Sequence, residues 1–313
     1  MKINPLQAAS FILILAGCGK VQQIQSIRNY DPVFSNASKV DTTVTTVTSK
    51  RDNDGRQAGL ISAFFGLDDA LAKAADKGIW PGAGGKDGMP VIFSHEIDYK
   101  TMQAGDFRVT TASGKVGEIL AVTLAPADDT GELRTVLLAG SYGSIDDQPV
   151  KVEIVGNLLS IDKTLNFKGE SIKVIPLEEG PTMVWAEVVP DEEWAIGKKA
   201  TPLPWGGGSG AAEGSKQVVR VTWSGGVTKP GGDEINDVER LLYKVTLLLE
   251  NGNKVDVTPF AISDLGDGDN NHELCLDVMG TPQSVFFPAG KLKDPRKDLN
   301  PETSIAIQKL PAR

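Results

Sequence analysis

From residue 57 onward, short apolar runs alternate with turn-forming residues, and most runs have the period of a β-strand. Val150-Lys151-Val152-Glu153-Ile154 is the clearest case, because every second side chain of a pleated strand faces the same side. Comparable runs occupy 91–93, 107–111, 119–124, 134–138, 172–176 and 183–189, with Gly, Asp and Asn between them. A second set occupies 218–223, 241–249, 254–257, 273–277, 285–287 and 304–307. Glu250-Asn251-Gly252-Asn253 marks a hairpin inside that set, since Asn and Gly tolerate the positive φ of tight turns. Short strands separated by turn signals predict β-sandwiches. One segment reads differently: Asp68 to Ala75 predicts a short helix near residue 70, capped by Asp68 and ended at Lys77-Gly78.

Between the two sets, Pro202, Pro204 and Gly206-Gly207-Gly208-Ser209-Gly210 make 191–216 a flexible linker or long loop. Trp194 and Trp205 flank its centre. Such aromatics pack across a domain interface or stack on sugars. The expected architecture is therefore all-β, with two β-sandwich domains at 57–190 and 217–313. Residues 18–56 are rich in Ser, Thr, Asn, Asp and Gln without a sustained period, which reads as a disordered tether.

The N-terminus has its own pattern. Lys2 is followed by the apolar run Ala8 to Ala16, which has the length of a signal-peptide core and is too short to span a bilayer. Leu15-Ala16-Gly17-Cys18 at its end resembles the lipobox of bacterial lipoproteins. The resemblance implies that 1–17 is a signal peptide and that Cys18 becomes the acylated first residue, holding the protein to the bacterial cell envelope. More than one acyl chain makes such an anchor stable. Gly19 and Lys20 follow Cys18, in place of the Asp that marks inner-membrane retention, so in a host with two membranes the resemblance favours the outer one, with the chain facing the periplasm or exterior.

A second resemblance lies in the first β region. Ile92-Phe93-Ser94, Ile97-Asp98, Thr101 and Asp106 to Thr110 resemble the opening of bacterial Ig-like repeats of the S-layer and adhesin type. Val152 to Gly156, followed by Leu158, Leu159 and Asp162, resembles their closing strand and exit turn. The family implies an Ig-like sandwich and a scaffolding or adhesive role.

Composition narrows the partners. The formal net charge is −9 and the sequence pI about 4.9, which disfavours nucleic acid and adhesion to anionic lipid through a basic patch. A protein or polysaccharide ligand remains open. With Cys18 used for lipid, Cys275 is the only other thiol; in Leu274-Cys275-Leu276 it reads as a small buried hydrophobe, and no intrachain disulfide is expected.

Most chemical motifs fail on inspection. His95 and His272 are the only histidines and have no zinc-ligand spacing. Ser141 lies in a turn-like Gly140-Ser141-Tyr142-Gly143 and not in a nucleophile elbow. Gly82 to Asp87 lacks the leading Gly and the Ser or Thr of a phosphate loop. The acidic stretch Asp264-Leu265-Gly266-Asp267-Gly268-Asp269-Asn270-Asn271 is the strongest candidate, since hard cations take several oxygen ligands from flexible loops. Asp264, Asp267, Asp269 and Asn271 are candidate calcium ligands, although His272 and Val278 break the EF-hand pattern. Asp294 and Asp298 form a second candidate cluster, joining the first if both loops share one end of a sandwich. Both stretches also read as Asx-rich turns that cap strands. Two functions stand open: a binding, adhesion or structural role in the envelope, or an extracytoplasmic hydrolase acting on glycans through paired carboxylates.

Overall fold

The computed structural model describes residues 36–198, 200–201 and 207–308. The lipobox-like motif at 15–18, including Cys18, and Trp205 lie outside the described residues. In chain order the elements are β1 (Leu60–Ala63), helix α1 (Ala75–Gly78), β2 (Asp87–Phe93), β3 (Phe107–Thr111), β4 (Glu118–Thr123), β5 (Thr135–Ser141), β6 (Pro149–Ile154) and β7 (Ser171–Lys173). They continue with β8 (Met183–Val189), β9 (Gln217–Trp223), helix α2 (Asp237–Arg240), β10 (Lys244–Leu248), β11 (Lys254–Val257), β12 (Ala261–Ser263), β13 (Asn271–Leu276), β14 (Thr281–Phe287) and β15 (Thr303–Ala306).

The chain is all-β and sandwich-like, as its strand pattern predicts. Four antiparallel sheets form, in the orders β1-β2-β5-β4, β3-β6-β7, β12-β13-β9-β8 and β11-β10-β14-β15. The first two enclose one core, in which Met89, Val91 and Phe93 meet Phe107, Val109, Val152 and Ile154. The last two enclose a second, built around Trp223, Tyr243 and Phe287, with Val219, Val245 and Leu274.

Sequence and structure part in four places. The alternation at 150–154 is interrupted because the β3–β6 register shifts between Thr110 and Thr111; Val150 faces outward while Val152 and Ile154 stay inside, the usual effect of one extra residue in a ladder. The helix near residue 70 shrinks to α1. Its expected first turn is held as a loop instead: Asp69 has φ +50°, its N–H donates to Asp87, and the Ala70 and Leu71 N–H groups donate to the Lys86 carbonyl. The boundary expected at 190 moves toward the N-terminus, because β8 pairs with β9.

The fourth difference concerns the tether. Residues 36–56 are strapped along the first sandwich: Asn36 pairs with Val122, Thr42 donates to Gln103, and Asn166 donates to the Val47 carbonyl. Small polar side chains supply these bonds, which is why no hydrophobic period announces them. Likewise Trp194, Ile196, Ala211 and Ala212 of the 191–216 segment pack on Val189, Val218 and Cys275. Cys275 is buried, as expected of a small hydrophobe.

Candidate functional site

The site grows out of the outer face of β8, β9 and β13. In β9 one set of alternate residues, Val219, Val221 and Trp223, fills the second core, so Val218, Arg220 and Thr222 face the other way. The ladder places Arg220 opposite Glu187 on one side and Glu273 on the other. A charged row thus crosses three strands, yet every residue of β9 and β13 is buried. What covers the row is the β4–β5 connection of the first sandwich.

That connection contains Asp128-Asp129-Thr130-Gly131-Glu132. Arg220 donates from Nη1 to the Gly131 carbonyl at 2.9 Å and from Nη2 to the Thr130 carbonyl at 3.0 Å. Its Nε reaches Glu273 at 2.7 Å, and Nη1 stands 3.4 Å from Glu187. Gly131 has φ +87°, and a Cβ there would collide with the guanidinium; glycine supplies both the turn and the room. Arg134 reinforces the joint by pairing with Glu187 at 2.9 Å and stacking on Trp185 at 4.5 Å.

Beside this row the two halves bring four carboxyl groups together. Asp129 and Glu132 come from the first sandwich, and Asp264 and Asp267 from the β12–β13 loop of the second. One oxygen from each lies within 4.8 Å of the others. Glu132 is 1% exposed; its neighbours are the Glu273 carboxyl and Arg220 Nε, which stands 3.8 Å away and bonds Glu273. Asp264, 3% exposed, has two oxygens without a donor. Carboxyl groups here outnumber the two guanidinium groups.

Burial, with neighbouring carboxylates adding to it, sets the electrostatics. It pushes Asp264 up to about 8 and Asp267 up to about 7. Glu132 and Asp269 rise well above the usual carboxyl range for the same reasons. Arg220 loses its hydration, but Glu273, Glu132 and Glu187 more than offset that and hold its charge. A buried carboxylate without donors is costly, and such groups bind a proton or a cation.

Of the residues singled out by sequence, the structure gathers only Asp264 and Asp267 into the cluster. Asp269 stands beside it but accepts from the Asn271 backbone at 2.8 Å and from its side-chain amide. Asn271 also accepts from Thr222. Asp294 and Asp298 close their own turn: Asp294 accepts from the Asp298 N–H at 2.9 Å, and Arg296 pairs with Asp298. Pro295 of that turn and Asp267–Asn270 line a common cavity, yet neither Asp294 nor Asp298 joins the acidic cluster. Asp129 and Glu132 escaped sequence reading because an acidic, Gly-containing connection resembles a solvated turn; the signal that points to them is Arg220 inside an otherwise apolar strand.

Two cavities adjoin these residues. A small one, about 10 Å³, is lined by Glu234, Asp264, Asp267, Asp269, Asn271 and His272 among others, and has room for about one water or bare ion. A larger one, about 400 Å³, lies between Phe64, Leu67, Leu71, Ile79 and Leu137 of the first half and Gly225, Gly226 and Asp267–Asn270 of the second.

One further arrangement has the residue types of nucleophilic catalysis. Ser94 Oγ lies 2.8 Å from His95 Nδ1, and His95 Nε2 lies 3.1 Å from Asp52. The hydroxyl, however, accepts from the Gly59 N–H and donates to the Gln57 carbonyl, and Asp52 also holds Arg56 at 2.7 Å. These bonds pin 50–59 to the first sandwich. No known protein-family model matches the sequence, and no curated protein sequence is significantly similar to it.

Proposed function

We propose that this chain is a lipid-anchored binding protein of the bacterial envelope, held through Cys18 and facing the periplasm or exterior, and that its ligand is a small apolar molecule. The larger cavity at the joint carries this reading. Its volume lies within the range of small-molecule sites, and its walls are mostly alkyl and aromatic groups, with Thr135, Asp267, Asp269 and Asn270 as the polar side chains. A sugar would find few hydrogen-bond partners there. Glu132 and Asp264 are buried and bring oxygens within 4.8 Å of each other, closer than the roughly 5 Å or more that separates a glycosidase pair around a sugar, which speaks against the glycan-hydrolase alternative. The Ig-like resemblance and the adhesive role remain part of the proposal only as a scaffold that presents this cavity.

The test uses the uncharged dye N-phenyl-1-naphthylamine. Its fluorescence rises on binding to the full-length protein, and Ala74→Trp at the exposed rim of the cavity abolishes that rise while leaving the melting temperature unchanged. Dye binding that survives Ala74→Trp contradicts the proposal. Mass spectrometry of the mature N-terminus from membrane fractions tests the anchor: an acylated Cys18 is expected, and an unmodified chain that keeps residues 1–17 refutes it.

A further inference from the structure

We infer that Asp129, Glu132, Asp264 and Asp267 form a calcium site that ties the two sandwiches together. The inference is independent of what the apolar cavity binds, and it rests on geometry at the joint.

The first observation is spacing. Calcium holds oxygen ligands at about 2.3–2.6 Å, so oxygens on opposite sides of the ion lie about 5 Å apart. The four carboxyl oxygens here, all within 4.8 Å of one another, fit inside that span. The second observation is independent of the first. Asp264 is almost wholly buried, offers an oxygen to the cluster, and has two oxygens that no N–H or O–H group meets; Glu132, equally buried, has only Arg220 Nε at 3.8 Å and the neighbouring carboxyl of Glu273. Folding has stripped Asp264 of water without supplying a donor, and buried polar groups are otherwise nearly always bonded.

The contrast with another acidic trio shows what a self-sufficient cluster looks like. Asp68, Asp69 and Asp87 also lie close together. There, however, Asp87 accepts from the backbone N–H groups of Asp69, Tyr142 and Gly143, so the protein completes it unaided. At the joint backbone N–H groups reach only Asp267 and Asp129, and a cation supplies what Asp264 lacks.

The donor set selects the ion. Carboxylate oxygens alone suit hard cations and disfavour zinc or copper, which favour nitrogen and sulfur. Magnesium keeps several of its waters, for which four carboxyl oxygens within 4.8 Å of one another, two of them on buried Glu132 and Asp264, leave little room. Calcium, which accepts irregular cages of carboxylates, is the remaining common ion. Its place matters as much as its identity: Asp129 and Glu132 lie on the β4–β5 connection, Asp264 and Asp267 on the β12–β13 loop. One ion therefore cross-links segments that are far apart in sequence and belong to different cores.

The full-length protein, stripped with EGTA and titrated with calcium chloride in a calorimeter, tests this. One calcium per chain is expected, with a higher melting temperature in calcium than in EGTA and a smaller rise in magnesium. Glu132→Gln and Asp264→Asn each weaken calcium binding by about 10-fold or more, while melting in EGTA at or above the wild-type temperature, so that lost binding is not lost folding. Asp298→Asn, in the other acidic loop, leaves calcium binding unchanged. Identical melting in calcium and EGTA, wild-type affinity in both joint variants, or loss of binding on Asp298→Asn overturns the inference. Dye binding to the stripped protein reads the apolar cavity separately.

Discussion

The loops at 264–271 and 294–300 are alike in sequence, both dense in Asp and Asn, and opposite in structure. The second closes largely on itself, with one Asp294 oxygen left without a donor. Asn300 accepts from the N–H groups of Lys291 and Leu292 and donates to the Pro288 and Pro301 carbonyls, and Asp294 takes the Asp298 N–H. The first turns outward from its own sandwich: Asp264, at φ +58°, contributes two oxygens that no donor meets, beside two acids of the other sandwich. Acidic composition thus says little about cation binding. What distinguishes a capping turn from a candidate ion site is whether nearby backbone N–H groups have already taken the oxygens.

The sharpest way to break this comparison is to remove the charge that holds the joint. Arg220→Met leaves Glu273 buried without its guanidinium partner and Glu187 with Arg134 alone, and breaking a buried pair from one side costs about 3–5 kcal/mol. Chemical denaturation of the variant is expected to show that loss; a midpoint equal to wild type would mean that the joint contributes nothing to folding. Next in size is Asn300→Ala. It deprives two N–H groups and two carbonyls of their partner; only the Leu292 N–H is fully buried and the other three are part-buried, so the expected loss is about 1–3 kcal/mol, the cost of one unsatisfied buried group. That loss is the same in calcium and in EGTA, because the self-closed loop needs no ion.

A smaller effect has the opposite sign. Without calcium, Asp264→Asn removes a buried charge lacking donors and is expected to stabilise the protein by about 1 kcal/mol, seen as a higher melting temperature in EGTA. Asp294→Ala, by contrast, removes the oxygen that accepts the Asp298 N–H and is destabilising. If both substitutions act alike, the distinction between the loops fails.

The smallest effect comes from a solitary counterpart in the first sandwich. Burial pushes Asp106 up to about 7 from its usual 3.8, against the Gln103 N–H that lowers it. Its folded form therefore holds a proton that the unfolded chain releases at lower pH. The resulting stability is fully present below about pH 4 and is lost as pH rises toward 7. Asp106→Asn keeps an acceptor for Gln103 and has no proton to lose, so its melting temperature falls less across that interval than the wild-type value. Parallel wild-type and variant profiles would contradict this.

How much of this was legible in the sequence depends on the range of the interactions. The strands were readable because pleating imposes a local period: 107–111, 119–124 and 218–223 overlap β3, β4 and β9. β12, three residues long, carries too short a period to be read. The strap at 36–56 was missed because polar side chains such as Thr42 and Asn166 build it. In the candidate site, Asp264 and Asp267 could be named because they crowd one loop. Asp129 and Glu132 could not be joined to them, since only the stacking of two separate sandwiches brings 129–132 to 264–267. Arg220 within Val218-Val219-Arg220-Val221 was the one local sign of a buried, charged interface.

The account turns on a cation at the joint, and a crystal of the full-length protein soaked in terbium, a calcium substitute with strong anomalous scattering, tests it most directly. An anomalous peak is expected between Asp129, Glu132, Asp264 and Asp267, with the two sandwiches in the arrangement described. A peak at 294–300 alone, or a joint without density in fully substituted crystals, would contradict it.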